Sequence, residues 1–423
     1  MIRELKILAR DVRTQFNNAG EPRGTFTALR HRNFKLWFEG QLVSLFGTWM
    51  QTTAMGFLIY ELTKSSAYLG LVGFAAGVPS WLFMLYAGVV SDRMSRRNLM
   101  VVTQTAMMIL AFLTAGLTFT HLIRPWHIIL LALGFGVANA FDAPPRQALV
   151  QELVSREDMT NAIALNGAMF NASVALGPAV GGITYALFGP AWCFAINGLS
   201  FIAVIIALLA MKLEPFKPRP HQGTVMADLK EGLAYIRRHS MIRTLISLVG
   251  MISLFGLGMQ TLMPAWSVNV LHGHATLNGL LQSARGLGAL IGALMIAALG
   301  RFTFRGRLMT VGSVAFPLIM TAFAFLRWPP LSLLFLAGLG FAQIMVLNLA
   351  NASVQSLTPD GLRGRVMSVY SLIFFGAMPV GSLIIGGMAS KLGEPPTIMI
   401  GGLLVLAYSI IIYMAAPKLR KIA

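Results

Sequence analysis

Charge is what this chain is short of. Asp, Glu, Lys and Arg make up 11% of its 423 residues, and hydrophobic residues 56%. A soluble domain carries about 25% charged residues. There is too little polar surface to cover a water-soluble fold, so the chain is expected in a bilayer. Acid is scarcer than base: 15 Asp and Glu stand against 33 Lys and Arg, for a net charge of +18. A single cysteine, Cys193, excludes an internal disulfide. No Gly-x-x-x-x-Gly-Lys-Ser/Thr stretch occurs, which excludes a P-loop and direct drive by ATP. Residues 1–35 hold no apolar core of the kind a cleavable signal peptide carries. No nucleophile–base constellation stands out, and His272 and His274 have no Asp or Glu beside them. An enzyme, a bound metal and a cofactor are therefore not expected.

What the chain has instead is apolar runs, at 36–60, 67–91, 98–121, 126–150, 161–188, 190–212, 241–270, 276–299, 306–327, 330–354, 365–391 and 396–416. Each is long enough to cross a bilayer. Backbone groups in lipid have to be bonded within the segment, so the runs are helices. The fold class is all-α integral membrane, with twelve transmembrane helices. Glu214-Pro215-Phe216-Lys217-Pro218-Arg219-Pro220 breaks the series. Val225, Met226, Leu229, Leu233 and Ile236 then recur at helical spacing, which predicts an amphipathic helix. The expected organisation is a basic N-terminal segment at 1–35, a six-helix bundle at 36–212, a linker at 213–240, a second bundle at 241–416 and a tail at 417–423. Ile2, Leu5, Leu8, Val12 and Phe16 make residues 1–35 an amphipathic helix on the membrane surface or a disordered basic arm.

The basic residues are not spread evenly. With the N-terminus in the cytoplasm, Lys64, Arg124, Arg327 and Lys391 alone fall on the outer side, and Arg285 falls inside a helix. All others are on the inner side. That asymmetry predicts a multi-pass topology with both termini cytoplasmic. It reads the positive charge as a topology signal in contact with membrane lipids rather than a nucleic-acid surface.

The second half of the chain repeats the first. Ser44-Leu45-Phe46-Gly47, with Gln51-Thr52 after it, returns 209 positions later as Ser253-Leu254-Phe255-Gly256 and Gln260-Thr261. Gly70 and Gly77 fall on Gly279 and Gly286 at the same shift. In the later helices the shift is 204: Val150-Gln151 falls on Val354-Gln355, Gly177 on Gly381 and Gly182 on Gly386. A parallel duplication relates two halves about an axis along the membrane normal.

Several residues stand out against this frame. Gly88-Val89-Val90-Ser91-Asp92-Arg93-Met94-Ser95-Arg96-Arg97 is a charged turn between the second and third runs. Asp142 and Arg146, astride Pro144-Pro145, lie at the same membrane face; they form either an ion pair that ties helix ends or part of an inner gate. The proline pair is expected to loosen its helix. The fifth run carries Gly167, Gly177, Pro178, Gly181 and Gly182, where small residues let helices approach closely. Glu39 either pairs with Arg30 or Arg32 at the surface or faces a central cavity with a proton or cation. Arg285 is a permanent cation deep in a spanning helix, costly unless paired or wet; it pairs structurally or meets an anionic substrate. Gln51 and Gln260 are expected to face each other across the cavity, with Asn139 and Gln343 as a second pair. The alternative for all four amides is interhelical glue.

The charged turn, Gly88 with Asp92-Arg93 and then Arg96-Arg97, resembles the loop after the second helix of the major facilitator superfamily, with Ser95 where that family usually has Gly. Gly-Pro-x-x-Gly-Gly at 177–182, preceded by Gly167, resembles the antiporter signature of exporting members. From Ala28 onward, Ala28-Leu29-Arg30-His31-Arg32-Asn33-Phe34 and Phe141-Asp142-Ala143-Pro144-Pro145-Arg146-Gln147 resemble the branch that contains the enterobactin exporter and macrolide-efflux-type proteins. The resemblance implies two pseudo-symmetric six-helix bundles and a monomer in the bacterial inner membrane. It also implies a secondary active transporter that exports a small amphipathic molecule, siderophore or drug-like, at the expense of protons by alternating access. Ala132 and Gly134 stand in the region where many drug/proton antiporters have an arginine, so the resemblance does not locate the coupling residue. The rival readings are a receptor or scaffold that transports nothing, and an importer or lipid-handling protein of the same fold.

Overall fold

The structure is a computed structural model that describes residues 26–213, 225–299 and 305–415. Among these residues there is no strand, and twelve helices are long and apolar enough to cross a membrane. They are α1 Arg32–Thr63, α2 Ser66–Arg93, α3 Arg96–Phe119, α4 Pro125–Val150, α5 Met159–Phe188, α6 Pro190–Ala210, α7 Ser240–Val270, α8 Ala275–Leu299, α9 Arg305–Phe323, α10 Pro329–Leu357, α11 Asp360–Leu392 and α12 Glu394–Ala415. A linker helix, Val225–Arg238, precedes α7. The spacing expected to be amphipathic at Ile2 to Phe16 lies outside the described residues.

Local sequence accounts for most helix ends. Gly189 and Gly393, at φ +86° and +85°, end α5 and α11. They are the same position in the two copies, and each turns the chain through a conformation that a side chain would strain. Pro at the first turn opens α4, α6 and α10, where the missing N–H costs nothing. Pro144 and Pro145 do not end α4, which runs on to Val150.

α7 departs from the regular winding that its composition suggests. It is α-helical over Ser240–Met251, π-wound over Ile252–Leu257, a 3₁₀ turn over Gly258–Leu262, and π-wound again over Trp266–Val270. Pro264 lacks an N–H to keep the ladder in register. A Cβ at Gly256 would lie 2.5 Å from Phe316 Cζ, and one at Gly258 2.8 Å from the Gly381 carbonyl carbon. The neighbours therefore press directly on the α7 backbone, and mixed winding of this kind concentrates at functional sites.

The two bundles meet along two seams, and the seams are one contact used twice. At one seam a Cβ on Gly70 of α2 would lie 2.6 Å from Ser382 O and 3.0 Å from Gly386 Cα of α11. At the other, a Cβ on Gly279 of α8 would lie 2.3 Å from Pro178 O and 3.0 Å from Gly182 Cα of α5. Gly70 and Gly279 are equivalent, as are Ser382 and Pro178, and Gly386 and Gly182. One step deeper, Gly77 meets Pro379 and Gly286 meets Ala175, again equivalent pairs.

Closure stops part-way along the helices. Gly88 continues the Gly70–Gly77 stripe of α2 and Gly167 continues the α5 stripe, yet a Cβ at either would meet nothing within 4 Å. The bundles are joined at the end that holds Lys64, Arg124 and Lys391, and they part toward the strongly basic end that holds Asp92 and Arg96.

Candidate substrate pathway and its two ends

At the basic end, charge ties helices together within the first bundle. Asp142 is buried, and its Oδ1 accepts from Thr103 Oγ1 (2.8 Å) and Gln104 Nε2 (3.0 Å) of α3. Arg146 Nε lies 3.6 Å from Asp142 Oδ2, one turn along α4. Arg96 donates to Glu152 Oε1 (2.5 Å) and to Ala148 O (3.3 Å), and Arg97 to Met211 O (3.3 Å). The charged turn thus clamps the ends of α3, α4 and α6, while Arg93 is exposed and Asp92 half-buried and engaged. Glu152 was not singled out by sequence, because nothing in its spacing marks it. Across the linker, Arg365 of α11 holds Asp228 (2.8 Å) and Glu231 (2.7 Å) of the linker helix. Glu39 is exposed and lies 3.9 Å from Lys35, not beside Arg30 or Arg32.

At the opposite end, hydrogen bonds cross between the bundles. The Tyr60 hydroxyl donates to Asn269 Oδ1 (2.7 Å), and Asn269 Nδ2 donates to Glu394 Oε1 (3.2 Å). Ser66 Oγ donates to the same carboxylate oxygen (2.8 Å). Glu394 is buried at the start of α12, so α1, α2, α7 and α12 converge on it. Ser283 Oγ of α8 accepts from the Ala179 N–H of α5 (2.9 Å), again between bundles, while Thr261 Oγ1 donates to Ser382 Oγ (2.9 Å) within the second bundle. Within the first bundle the Tyr185 hydroxyl bonds Glu61. Sequence reasoning missed Glu394; its one signal is a lone acid immediately after the turn glycine Gly393.

The glycines of α5 divide their work. A Cβ at Gly177 would lie 2.6 Å from Trp49 Cβ, and one at Gly181 2.9 Å from Met50 Cα, both on α1. One at Gly182 would lie 2.5 Å from Ala275 O of α8. Gly177 and Gly181 therefore seat α5 on its own bundle. Gly182, with the carbonyl of Pro178, seats it on the other.

The four amides do not surround one axis. Gln51 is buried and accepts from Asn197 Nδ2 (2.7 Å) of α6, so it is held inside the first bundle and does not face Gln260. The expectation failed because duplication fixes the position of a residue but not which neighbour its side chain finds; Asn197 offered a closer partner. Asn139 is exposed on α4, whereas its repeat partner Gln343 is buried. What the structure does bring together is Gln260, Gln343 and Arg285, which line one small cavity among α7, α8, α9 and α10 with Gln282, Met259 and Phe316. The cavity holds about 10 Å³, room for one water-sized group. Among the described residues no group of three or more His, Cys, Asp or Glu could hold a metal.

A family model described as transmembrane secretion effector matches residues 23–422. The staphyloferrin A transporter of Staphylococcus aureus is 21% identical over 387 residues, 91% of this chain and 97% of that one. The multidrug efflux pump Tap of Mycolicibacterium fortuitum is 26% identical over 390 residues, 89% and 93% of the two chains. The enterobactin exporter EntS of Citrobacter koseri is 22% identical over 399 residues, 92% and 93%. Among solved structures, the nucleoside transporter NupG superposes with a TM-score of 0.70 at 15% identity, covering 93% of this chain and 100% of its own. An inward-facing, unoccupied bacterial homologue of the human lysosomal transporter Spinster superposes at 0.66 and 14% identity, covering 92% and 98%. At those identities the structures speak for the fold alone, and the family match speaks for membership. The chain belongs to the major facilitator superfamily of membrane transporters, in the transmembrane secretion effector family.

Proposed function

We propose that this transporter exports a small amphipathic molecule, siderophore or drug-like, from a bacterial cytoplasm by alternating access, driven by protons. In this reading it is a monomer in the inner membrane, with the basic end and both termini in the cytoplasm. The observation that carries the reading is the pair of equivalent seams, closed at one end and parted at the other. A rigid-body rock about the shared axis moves both seams together, so opening one end closes the other. The Asp92–Arg97 turn, with Asp142 and Arg146, then serves as the inner gate, and the Tyr60–Asn269–Glu394 set as the outer one. The names of the relatives, a staphyloferrin A transporter, a multidrug efflux pump and an enterobactin exporter, support export of such molecules. Among the described acids, Asp142 and Glu394 are the buried ones, so they are the carboxylates proposed to bind and release protons.

The test is transport in proteoliposomes with an imposed pH gradient, against a panel of siderophores and amphipathic drugs. Movement of a panel member opposite to the proton flux, abolished by collapsing the gradient, is the expected result. Movement that ignores the gradient, or runs with the protons, would remove proton-driven export.

A further inference from the structure

Arg285 sits near the middle of α8 (Ala275–Leu299), and among the described residues it has neither an ion-pair partner nor a hydrogen bond. A guanidinium is always charged and offers five N–H donors in a planar fork. At such a depth it is costly unless something anionic or wet meets it. The polar atoms left over around this cavity are amide donors. Gln260 Nε2 and Gln343 Nε2, which line the cavity with Arg285, are buried without a hydrogen-bond partner, and so is Asn278 Nδ2. Gln343 is 4% exposed. Its amide nitrogen would lie 3.3 Å from a Cβ on Gly256, in the π-wound stretch of α7. Gln282 joins the group by donating to Asn278 Oδ1 (3.2 Å). Buried polar groups in native proteins are nearly always hydrogen-bonded. A cavity with one fixed positive charge and two unanswered amide N–H groups is complementary to an anionic oxygen that accepts several bonds at once.

We propose that this cavity is an oxyanion subsite for the transported molecule. Arg285 supplies the counter-charge, Gln260 and Gln343 supply amide donors, and the substrate class is an amphipathic acid that bears a carboxylate. The inference rests on the exporter reading for what the ligand is, since it takes the bound acid to be the cargo. The space admits one water-sized group, so one carboxylate oxygen enters while the body of the ligand stays outside. Arg285 is half-buried, and apolar lining that includes Met259 and Phe316 lowers the local polarity and strengthens the interaction with the guanidinium.

The test uses the full-length protein in nanodiscs with three matched probe pairs: dansylglycine, 2-naphthoate and 4-phenylbutyrate, each against its neutral carboxamide. Affinity is read from ligand-induced shifts in melting temperature. For at least one pair the acid is expected to bind at least tenfold tighter than the amide, and Arg285→Gln is expected to remove that preference. Arg285→Lys should keep part of it, since charge survives while the fork is lost. Gln343→Glu places a carboxylate in the subsite and should abolish acid binding; this variant carries the test if Arg285→Gln does not fold. Equal binding of every acid and its amide, binding of none of the six probes, or a preference that survives Arg285→Gln and Gln343→Glu would overturn the proposal. Nanodiscs of phosphatidylcholine alone and with added phosphatidylglycerol separate the sources of the anion. Loss of acid binding on adding phosphatidylglycerol would assign the site to a lipid headgroup and overturn the cargo assignment. Transport of the same pairs in proteoliposomes separates the two claims. An acid that binds through Arg285 but is never transported leaves the anion site standing and overturns its assignment to the cargo. Export of a siderophore or drug indifferent to Arg285→Gln leaves the exporter reading standing and overturns the subsite.

Discussion

Tyr60 and Asn269 are the same residue position in the two copies of the repeat, 209 apart, and they touch: the Tyr60 hydroxyl donates to Asn269 Oδ1 at 2.7 Å. Equivalent positions meet only where the pseudo-two-fold axis passes between them. The bond therefore marks the axis at the closed end, and it lies between bundles rather than within one. Glu394 extends it, collecting donors from Asn269 and Ser66.

Tyr60→Phe removes the donor and keeps the ring. A hydrogen bond of this kind contributes about 1 kcal/mol net, so the closed end should open roughly fivefold more often. The rate at which a thiol reagent modifies Ala265→Cys, a position of α7 buried against the first bundle, in a background with Cys193→Ser, reports it. An unchanged rate would mean that the bond does not hold the end shut.

Glu394→Ala should go further, because it leaves two donors from opposite bundles without their shared acceptor. Each buried donor left unsatisfied costs about 1–3 kcal/mol. The same labelling rate should rise more than for Tyr60→Phe. Glu394→Gln keeps the shape and loses the charge; under the proton-driven reading it should retain substrate exchange without a gradient while gradient-driven export falls at least tenfold, or about 1.4 kcal/mol. Full export by Glu394→Gln would remove this carboxylate from coupling.

Gly182→Ala inserts a methyl 2.5 Å from Ala275 O, a backbone atom with no freedom to swing aside. Overpacking of this type costs about 1–3 kcal/mol, and here it falls on the closed seam. The protein should still insert and purify, since alanine favours helix, but should transport at a small fraction of the parent rate. Gly116→Ala, on an exposed position of α3 with nothing within 4 Å of the added Cβ, is the internal control. Equal rates for the two variants would contradict the seam assignment.

Asp142→Ala strands the Gln104 amide, at about 1–3 kcal/mol, and leaves the Thr103 hydroxyl only the Met100 carbonyl (3.0 Å); it should lower thermal stability. Asp142→Asn keeps an acceptor for both. It should fold and purify like the parent while losing the ion pair with Arg146, so that transport falls with stability held. If Asp142→Asn transports normally, the Asp142–Arg146 pair only ties helix ends.

Much of this architecture was legible in the sequence because hydrocarbon leaves few choices. Twelve long apolar runs had to be helices, and the repeat offsets joined Gly70 to Gly279 and Gly182 to Gly386 before any contact was known. What periodicity could not carry was partner choice. Gln51 and Gln260 are equivalent by number, but Gln51 turns to Asn197 while Gln260 stays with Arg285 and Gln343. The irregular winding of α7 has one local signature, Pro264 without its N–H, but the close approach of Phe316 and Gly381 to its glycines is tertiary and has none. Glu394 was hidden for the same reason: its importance comes from Ser66 and Asn269, each far from it in the chain.

The most direct test of alternating closure is a pair of distances measured in one preparation. Spin labels on Lys64→Cys and Lys391→Cys span the closed end, and labels on Met94→Cys and Asp360→Cys span the basic end, each in a Cys193→Ser background. Adding Glu394→Ala should lengthen the first distance and shorten the second, because one rocking motion moves both. If the first lengthens while the second stays fixed or lengthens as well, the bundles do not alternate about the shared axis, and the mechanism proposed for export is wrong.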